Sequence, residues 1–447
     1  MKAFAISILS TAVAFAAAAE TTSPGVLELF QQPLTRKEAL DFAARHNSAL
    51  KKARIEIEAA AGQSRQLRSA GMPRVRTDAS FRANDRGSIE SFGFGDSPAQ
   101  NWSANAQIVQ PLYEGGRITA NRAQSRMVKD QAEATLESTA ANTALEVLTA
   151  YDDALLAAEQ ITVQEASIAL LGKELEDQKR RFEAGTAPRF NVLRAEVAVA
   201  NAKPRLIRAR NAYRISKNNL INLLGYDLPA AMWSEIPLKF ADKLTAEPVS
   251  LTVEEALASA RTKRPELRSL TLAADIRREA VKAAKAGAKP SINGFLGYGA
   301  RNSSFTRDLS EEKSGWFAGA LLSWDLWDGD LTKGKVAEAR AVLEKAEESI
   351  SETDRSISLE VRTAWSNLEE SREVLESQKK VLEQAEEALR LAKARTEAGS
   401  GTQLEVLDAE TALTESRTTQ IQALRDYSVA RTRLDRSIGT LTLPGIQ

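Results

Sequence analysis

The stretch Val361–Ala398, VRTAWSNLEESREVLESQKKVLEQAEEALRLAKARTEA, decides the fold of this chain. It is the second half of a longer segment, Lys335–Ala398, that contains neither glycine nor proline and is rich in strong helix formers. A heptad repeat this long predicts one helix of about 100 Å that winds around other helices. Its apolar residues recur every seven positions: Leu343, Ile350 and Ile357, then Val361, Leu368, Leu375, Leu382 and Leu389.

The same heptad pattern occurs earlier, in an apolar ladder that runs from Val147 to Leu175. The two occurrences belong to a duplication, because Arg181–Gly185 matches Arg395–Gly399 at a shift of 214 residues. Each long helix ends at the glycine of these matched segments, and a second helical segment follows. Each half of the chain therefore predicts a long helical hairpin with a turn at its far tip.

The duplication sets the predicted organisation of the 447 residues. We predict a signal peptide at 1–19, a first structural repeat at 20–245 and a second at 246–447. The first repeat comprises a helix, a strand pair at 74–110, a long helical hairpin at 117–225 and a collar segment, and the second comprises a helix, a strand pair at 291–325 and a hairpin at 331–439.

The N-terminus has the three parts of a secretory signal: the charge of Lys2, the apolar run Phe4–Phe15 and the small residues Ala17–Ala19. We expect no later segment to have the about 20 apolar residues of a membrane helix. The chain has no cysteine, which excludes disulfides, cysteine metal sites, thiol catalysis and a cysteine-borne lipid anchor. Its 60 basic and 60 acidic residues balance, so the composition gives no sign of nucleic-acid binding.

Short strands that alternate between apolar and polar residues precede each long helix. Strands of about ten residues with one apolar face suit an outer-membrane barrel, although a soluble sandwich with one solvated face shows the same alternation. Four strands cannot close on themselves, so we predict that several chains pool their strands into one barrel that contacts outer-membrane lipid. The predicted aromatic girdle of this barrel consists of Phe81, Trp102, Tyr298, Trp316 and Trp324.

Catalytic chemistry has little support in the sequence. The single histidine, His46, has no nearby residues that would make a dyad or a metal site. Gly329–Lys335 resembles a phosphate-binding loop, but Val336 stands where that motif needs Ser or Thr, so we interpret it as a turn from strand to helix. We predict no enzyme activity, no cofactor and no metal site.

Together these features resemble the TolC family of outer-membrane channel proteins, which serve drug efflux and type I secretion. The resemblance covers essentially the whole mature chain and implies a homotrimer with a 12-strand barrel, a 12-helix periplasmic tunnel and a small collar. The fold class is thus mainly α with a membrane β-barrel. The segments that carry the resemblance are Gln110–Gly116, Glu397–Gly399, Val406–Glu410 and Asn222–Gly225.

The resemblance also implies functional positions near the tips. Glu405 and Asp408 match two acidic residues that ring the closed periplasmic end, and their spacing of three places both on one helix face. The family latch, in which an aspartate meets an arginine and a tyrosine, is replaced here by Asn191, Gly401 and Thr396, so the latch must differ. The remaining candidates are Arg189 and Arg194 for the latch, and Gly185, Thr186, Gly399 and Ser400 for the tips that dock an adaptor.

The predicted function is a passive duct in the outer membrane with a large periplasmic portion. An inner-membrane transporter, either an ABC or a proton-driven pump, would open it together with a periplasmic adaptor. The sequence leaves the cargo open, although the missing anchor cysteine favours the secretion-competent branch. The alternatives are a soluble periplasmic coiled-coil adaptor or scaffold, which would not need aromatic-flanked strands, and an enzyme.

Overall fold

We describe the protein from a computed structural model of the chain. The described residues are 32–83, 100–229, 232–233, 235–302 and 313–445. The predicted signal peptide at 1–19 lies outside these ranges.

Long helices dominate the described chain, as predicted. Two of them have 67 residues each, or about 100 Å at 1.5 Å per residue. Each is followed by a helix of roughly half that length, which gives the two predicted hairpins. The helices are α1 Arg36–His46, α2 Ser48–Ser69, α3 Arg117–Glu183, α4 Arg189–Leu224, α5 Val253–Lys263, α6 Pro265–Lys285, α7 Leu331–Glu397 and α8 Gln403–Ser437.

One of these helices, α3, is long and apolar enough by composition to cross a membrane. This differs from the expectation that no segment after the N-terminus would meet that criterion. A single such helix is weak evidence for a membrane span, because the core helix of a soluble bundle passes the same test.

The strands form one antiparallel sheet of four in the order β1-β2-β3-β4. The central pairing, β2 with β3, joins the strand pair of the first repeat to that of the second. A β-bulge between Pro111 and Tyr113 interrupts this pairing just before α3 begins. The strands are β1 Arg74–Ala83, β2 Gln100–Glu114, β3 Ser291–Asn302 and β4 Lys313–Ser323.

The chain folds into two compact units, and both sequence repeats contribute residues to each unit. We call residues 1–47, 144–248 and 369–432 the tip unit, because it includes both hairpin turns. We call residues 48–143, 249–368 and 433–447 the sheet unit, because it includes all four strands. The units therefore cut across the sequence repeats instead of following them.

Tyr151 of α3 is the centre of the core of the tip unit and is fully buried. Its hydroxyl donates to the Leu34 carbonyl at 2.7 Å and lies 3.0 Å from Asp242 Oδ2. Asp242 also accepts from the backbone N–H of Arg36, at 2.8 Å. These bonds tie the segment before α1 and the segment after α4 to one helix, and apolar residues that include Leu220, Ile221 and Leu224 complete the cluster.

The sheet unit contains a buried charge network where α6 meets α7 and the end of α8. The guanidinium of Arg264, about 5% exposed, lies 3.1 Å from Glu266 and 2.8 Å from Glu360. Arg436 lies 2.6 Å from Glu266. Burial alone would raise the pKa of Glu266, but the neighbouring arginines outweigh it and lower that pKa, so the carboxylate stays ionised.

The duplication extends to helix capping. Thr35 before α1 and Thr252 before α5 each accept a hydrogen bond from the backbone N–H three residues later, and Glu38 and Glu255 return the bond. These are two copies of one capping box, with the same backbone angles at both caps.

Glycine also ends the second helix of each hairpin in the same way. Gly225 follows α4 with φ of +83° and Gly439 follows α8 with φ of +77°. A Cβ at Gly225 would lie 2.3 Å from the His46 carbonyl oxygen, and one at Gly439 would lie 3.0 Å from the Lys263 carbonyl carbon. Each helix end therefore docks on the junction between two short helices, and only glycine allows that approach.

We expect Gly225→Ala to lower the free energy of unfolding by at least about 1–3 kcal/mol, because it adds both left-handed strain and a backbone clash. The matched control is Gly172→Ala inside α3, where no described atom lies within 4 Å of the added carbon. That change should stabilise the helix by about 1 kcal/mol. Thermal unfolding of both variants in detergent checks the pair, and equal stabilities would contradict the proposed docking.

Candidate channel wall and tip

Apolar side chains meet one another across all three strand pairings. Val75 lies opposite Ile108, which lies opposite Leu296, which in turn lies opposite Ala318. Because side chains alternate between faces along a strand, these pairings place one apolar residue of every strand on the same face. Val75 is 74% exposed and Leu296 55% exposed, so this face has no apolar cover from the rest of the described chain.

Four aromatic residues of the predicted girdle lie on the same face. Phe81 pairs with Trp102, and Tyr298 pairs with Trp316. Trp324 follows β4, eight residues beyond Trp316, and its indole N–H donates to the Ala288 carbonyl at 3.2 Å. Eight residues of strand span about 27 Å, which is of the order of the about 25 Å apolar band of an outer-membrane barrel.

The opposite face of β1 and β2 is polar. Arg76 lies opposite Gln107, and Asp78 lies opposite Asn105. Arg76 Nε and Asp78 Oδ1 form an ion pair at 2.9 Å along the strand. A polar face of this kind is typical of the lumen side of an outer-membrane barrel.

The same face of the sheet is less polar on β3 and β4 than the predicted alternation of apolar and polar residues implies, because it carries two aromatic rings there. Phe295 lies opposite Gly319, and Phe317 lies opposite Gly297. A Cβ at Gly297 would lie only 2.5 Å from the Phe317 ring, and one at Gly319 only 2.7 Å from the Phe295 ring. The rings thus occupy the space that the glycines leave open, a packing that pins the strand register.

The two hairpin turns are built alike. Gly185 and Gly399 have φ of +74° and +75°. After each glycine, the next N–H returns to a carbonyl of the helix: Thr186 N–H donates to Arg181 at 2.8 Å and Ser400 N–H donates to Arg395 at 2.9 Å. Both glycines and the residues beside them are exposed, and no described atom would contact a side chain at either glycine.

The two acidic candidates begin α8 directly after the second tip. The Glu405 carboxylate lies 3.6 Å from Arg395 on the same hairpin, and its backbone N–H donates to the Thr402 hydroxyl at 3.3 Å. Asp408 is exposed and forms no ion pair within the described residues. Glu405 thus has a cationic partner on its own hairpin, whereas Asp408 has none within the described residues.

The predicted latch residues lie at the start of α4. Asn191 contributes its backbone carbonyl, which accepts from Gln403 Nε2 at 3.0 Å and so joins the two tips. The Arg194 guanidinium stacks 5.3 Å from the Phe190 ring centroid. Within the described chain Glu405 pairs with Arg395 and not with Arg189 or Arg194, so a latch through these arginines stays a prediction about contacts between copies.

Glu410 is a buried carboxylate of α8 that no sequence motif marked as functional. Its place in the heptad was the available signal, because Glu410 lies seven residues after the buried Gln403 and three before the buried Leu413. A carboxylate at a position of this stripe is unusual, since the stripe otherwise faces the core.

The outer helices of the tip unit expose apolar stripes. On α4 the exposed large apolar residues are Phe190, Leu193, Val197, Ile207 and Ile215. On α7 within the tip unit they are Val374, Val381 and Leu391. Their spacing of three, four or seven residues, or sums of these, keeps each stripe on one helix face.

Comparison with known proteins agrees with this geometry. The sequence profile described as "Outer membrane efflux protein" matches residues 39–226 and 256–440. The chain belongs to this family. It is therefore an outer-membrane protein of the efflux-channel class, and its long hairpins belong to the periplasmic part of that fold.

Individual relatives cover most of the chain. Outer membrane protein TolC of Vibrio cholerae is 23% identical over 84% of this chain and 84% of its own length. Cobalt-zinc-cadmium resistance protein CzcC of Cupriavidus metallidurans is 24% identical over 95% of this chain and 96% of its own. The alkaline protease secretion protein AprF of Pseudomonas aeruginosa is 25% identical over 77% of this chain and 71% of its own.

Solved structures show the same fold. The outer-membrane channel OprN superposes with a TM-score of 0.77 at 19% identity, over 93% of this chain and 92% of its own. VceC of Vibrio cholerae superposes with a TM-score of 0.76 at 17% identity, over 90% of this chain and 96% of its own. OprN is described as an outer-membrane channel, and VceC and TolC as outer-membrane proteins.

Proposed function

We propose that three copies of this chain form a continuous passive duct through the outer membrane and the periplasm, for type I protein secretion, drug efflux or both. The observation that carries the proposal is the four-stranded sheet, with one continuous apolar face, one largely polar face and two outer strands that are unpaired on one side within the described chain. Lipid does not tolerate open sheet edges, so β4 of one copy must pair with β1 of another.

The helices support the same closure. In the tip unit, α8 contacts both α7 and α3, as the ion pairs Arg417–Glu386 and Arg425–Asp153 show. Within the described contacts α4 and α7 are the outer helices, and both carry the exposed apolar stripes described above. Packing α4 of one copy against α7 of the next covers both stripes and closes a ring of twelve helices.

Charge also favours this pairing. The outer helix α4 carries eight Lys or Arg residues and a single glutamate, Glu196. The facing part of α7, residues 369–387, carries seven glutamates and three Lys or Arg residues. Opposite charges along two apolar stripes favour the association of α4 with α7 over the association of either helix with itself.

The proposed partners are a periplasmic adaptor and an inner-membrane transporter, either an ABC or a proton-driven pump. Docking at the two tips would part the hairpins and widen a mouth lined by the Glu405 and Asp408 rings. The names of two relatives support a protein cargo and a small-solute cargo, because AprF is named for protease secretion and CzcC for resistance to cobalt, zinc and cadmium. Specificity would come from the pump, since a passive duct has no substrate pocket of its own.

Planar-bilayer reconstitution of protein extracted from outer membranes tests the proposal. The duct predicts a trimer that conducts ions in stable, low-conductance steps. The alternative, a soluble periplasmic coiled-coil adaptor or scaffold, predicts protein in the periplasmic fraction and no conductance. Recovery of the native chain in the soluble periplasmic fraction would contradict the duct.

The tips give a separate prediction about the adaptor. Gly185→Leu with Gly399→Leu forces bulky side chains into left-handed turns on an exposed surface, and we expect it to reduce secretion or efflux at least tenfold while trimers still form. Export assays in cells with the cognate pump and trimer gels check the two halves of the prediction. The control is Gly172→Leu inside α3, away from the tips; wild-type export by the double variant would show that the tips do not dock the adaptor.

A further inference from the structure

A buried polar seam runs between α3 and α8 above the tips. The two helices are antiparallel here, because Thr414 of α8 donates to the Ser167 hydroxyl of α3 at 3.1 Å whereas Arg425, further along α8, pairs with Asp153, earlier on α3. Toward the tip, Gln403 and Glu410 of α8 are buried, as is Gln178 of α3. Polar residues in a stripe that is otherwise apolar weaken helix packing unless every buried group is satisfied.

The seam has more hydrogen-bond acceptors than donors. Gln178 donates to Glu174 at 2.8 Å, and Gln403 donates to the Asn191 carbonyl. The side-chain carbonyl oxygens of Gln178 and Gln403 accept no hydrogen bond within the described chain. The Glu410 carboxylate has one long contact, with the Lys393 ammonium 3.3 Å from Oε1, and its Oε2 accepts nothing within the described chain. The missing element in this set is a donor.

Glu410 is the most constrained member, being only 2% exposed. Two charged groups face it: Lys393 of α7, whose ammonium lies 3.3 Å from Oε1, and Glu174 of α3. No charged residue of α4 faces it among the described contacts. Val406 and Leu413, on either side of Glu410 in α8, belong to an apolar cluster that also includes Leu389 of α7 and, packed against it, Leu170 of α3. One partly exposed lysine must therefore balance two carboxylates.

We propose that Glu410 is a proton-sensitive lock of the tip, which holds α8 against α3 when it is protonated and releases α8 when it is ionised. A proton removes the buried charge, removes the repulsion from Glu174 and adds a donor to a seam that has too few of them. This inference rests on the proposed function, because it assigns a regulatory group to the opening of the duct.

The direction of the effect follows from the environment of the carboxyl. Burial is the main cause that raises the pKa of Glu410, Lys393 opposes that rise, and Glu174 adds to it. A carboxyl whose pKa is higher in the packed state than in the parted state stabilises packing at low pH, and this stabilisation is lost as pH rises through the pKa of the packed state. Acidification should close the tip, and alkalinisation should loosen it.

The difference between the pKa of Glu410 in the packed state and in the parted state sets how strongly pH changes the closing of the tip. Each unit by which the pKa of Glu410 differs between the packed and parted states changes the ratio of closed to open tips about tenfold. Glu410→Gln keeps the shape, supplies a permanent donor and cannot ionise. It should fix the tip in the closed arrangement and remove the pH step from channel opening.

A second variant should shift the pH step of channel opening instead of removing it. Lys393→Met removes the one cation that faces the carboxylate within the described part of the chain, so the pH step should remain and shift to higher pH. The matched control is Glu415→Gln, an exposed glutamate on the same helix, which should leave the wild-type profile unchanged. If surface carboxylates in general controlled the dependence of open probability on pH, Glu410→Gln and Glu415→Gln would change that dependence equally.

The experiment is a pH series of planar-bilayer recordings on wild-type, Glu410→Gln, Lys393→Met and Glu415→Gln trimers. It is repeated in the Glu405→Gln, Asp408→Asn background, so that titration of the predicted gate ring does not contribute. The lock predicts a step in open probability above the usual range of a glutamate, absent in Glu410→Gln and shifted upward in Lys393→Met. An unchanged step in Glu410→Gln overturns the lock, whereas a wild-type protein that forms no channel overturns the proposed function itself.

Discussion

Ala320→Arg is expected to abolish trimer assembly in the outer membrane. Ala320 lies on the apolar face of β4, midway in sequence between Trp316 and Trp324, and so near the predicted centre of the lipid band. An arginine on the lipid face at that depth costs about 2–4 kcal/mol. In a trimer the cost applies three times, which is comparable with the whole stability of a small domain.

The matched control is Asn293→Arg on the neighbouring strand. Asn293 is adjacent to Gly294, the pairing partner of Ala320, but its side chain lies on the opposite face of the sheet, the one that carries Arg76 and Asp78 on β1. An arginine there would face water and should leave assembly close to wild type. Trimer yield on mild-detergent gels of outer-membrane fractions measures both variants, and equal yields would show that the two faces of the sheet do not differ in their contact with lipid.

Loss of charge selectivity is expected when Glu405→Gln and Asp408→Asn are combined. In a trimer these residues would place six carboxylates at a narrow mouth, where they favour cations over anions. We expect the permeability ratio of potassium to chloride to fall by roughly an order of magnitude, because nearby fixed charges set the local ion concentrations. Reversal potentials in asymmetric salt give the ratio.

The two single variants separate the contributions of Glu405 and Asp408 to the charge selectivity. Glu405 already pairs with Arg395, whereas Asp408 has no ion pair in the described chain. Asp408→Asn should therefore account for most of the lost selectivity, and Glu405→Gln should have the smaller effect. Neither change touches the heptad seam, so trimers should form as in wild type. Wild-type selectivity in the double variant would mean that these residues do not line the constriction.

Much of the fold could be predicted from the sequence because its signals are long and periodic. The heptads from Leu343 to Leu389 extend over many turns, and the structure buries most of them against neighbouring helices. The strand alternation is equally regular, and pairing such as Phe81 with Trp102 follows from it. The duplication doubled every signal, so each weak pattern had a second copy that supported it.

The structural features that could not be predicted from the sequence depend on contacts between segments that are distant along the chain. Phe295 and Phe317 occupy the predicted polar face because glycines on the opposite strand leave room, and only the register shows this. The burial of Glu410 depends on which helix covers it, which heptad position alone does not give. The division into a tip unit and a sheet unit is likewise a property of packing, since both repeats contribute to each.

Cysteine cross-linking in native outer membranes tests the trimeric duct most directly. Ile207 of α4 and Val381 of α7 lie on the two exposed stripes, each about 25 Å from its tip along the helix. The chain has no cysteine of its own, so Ile207→Cys with Val381→Cys introduces the only thiols. A closed trimer predicts an oxidised ladder of one, two and three chains that ends at three, and no ladder with either single variant. A ladder that continues past three, or oxidation confined to single chains, would contradict the ring of three copies.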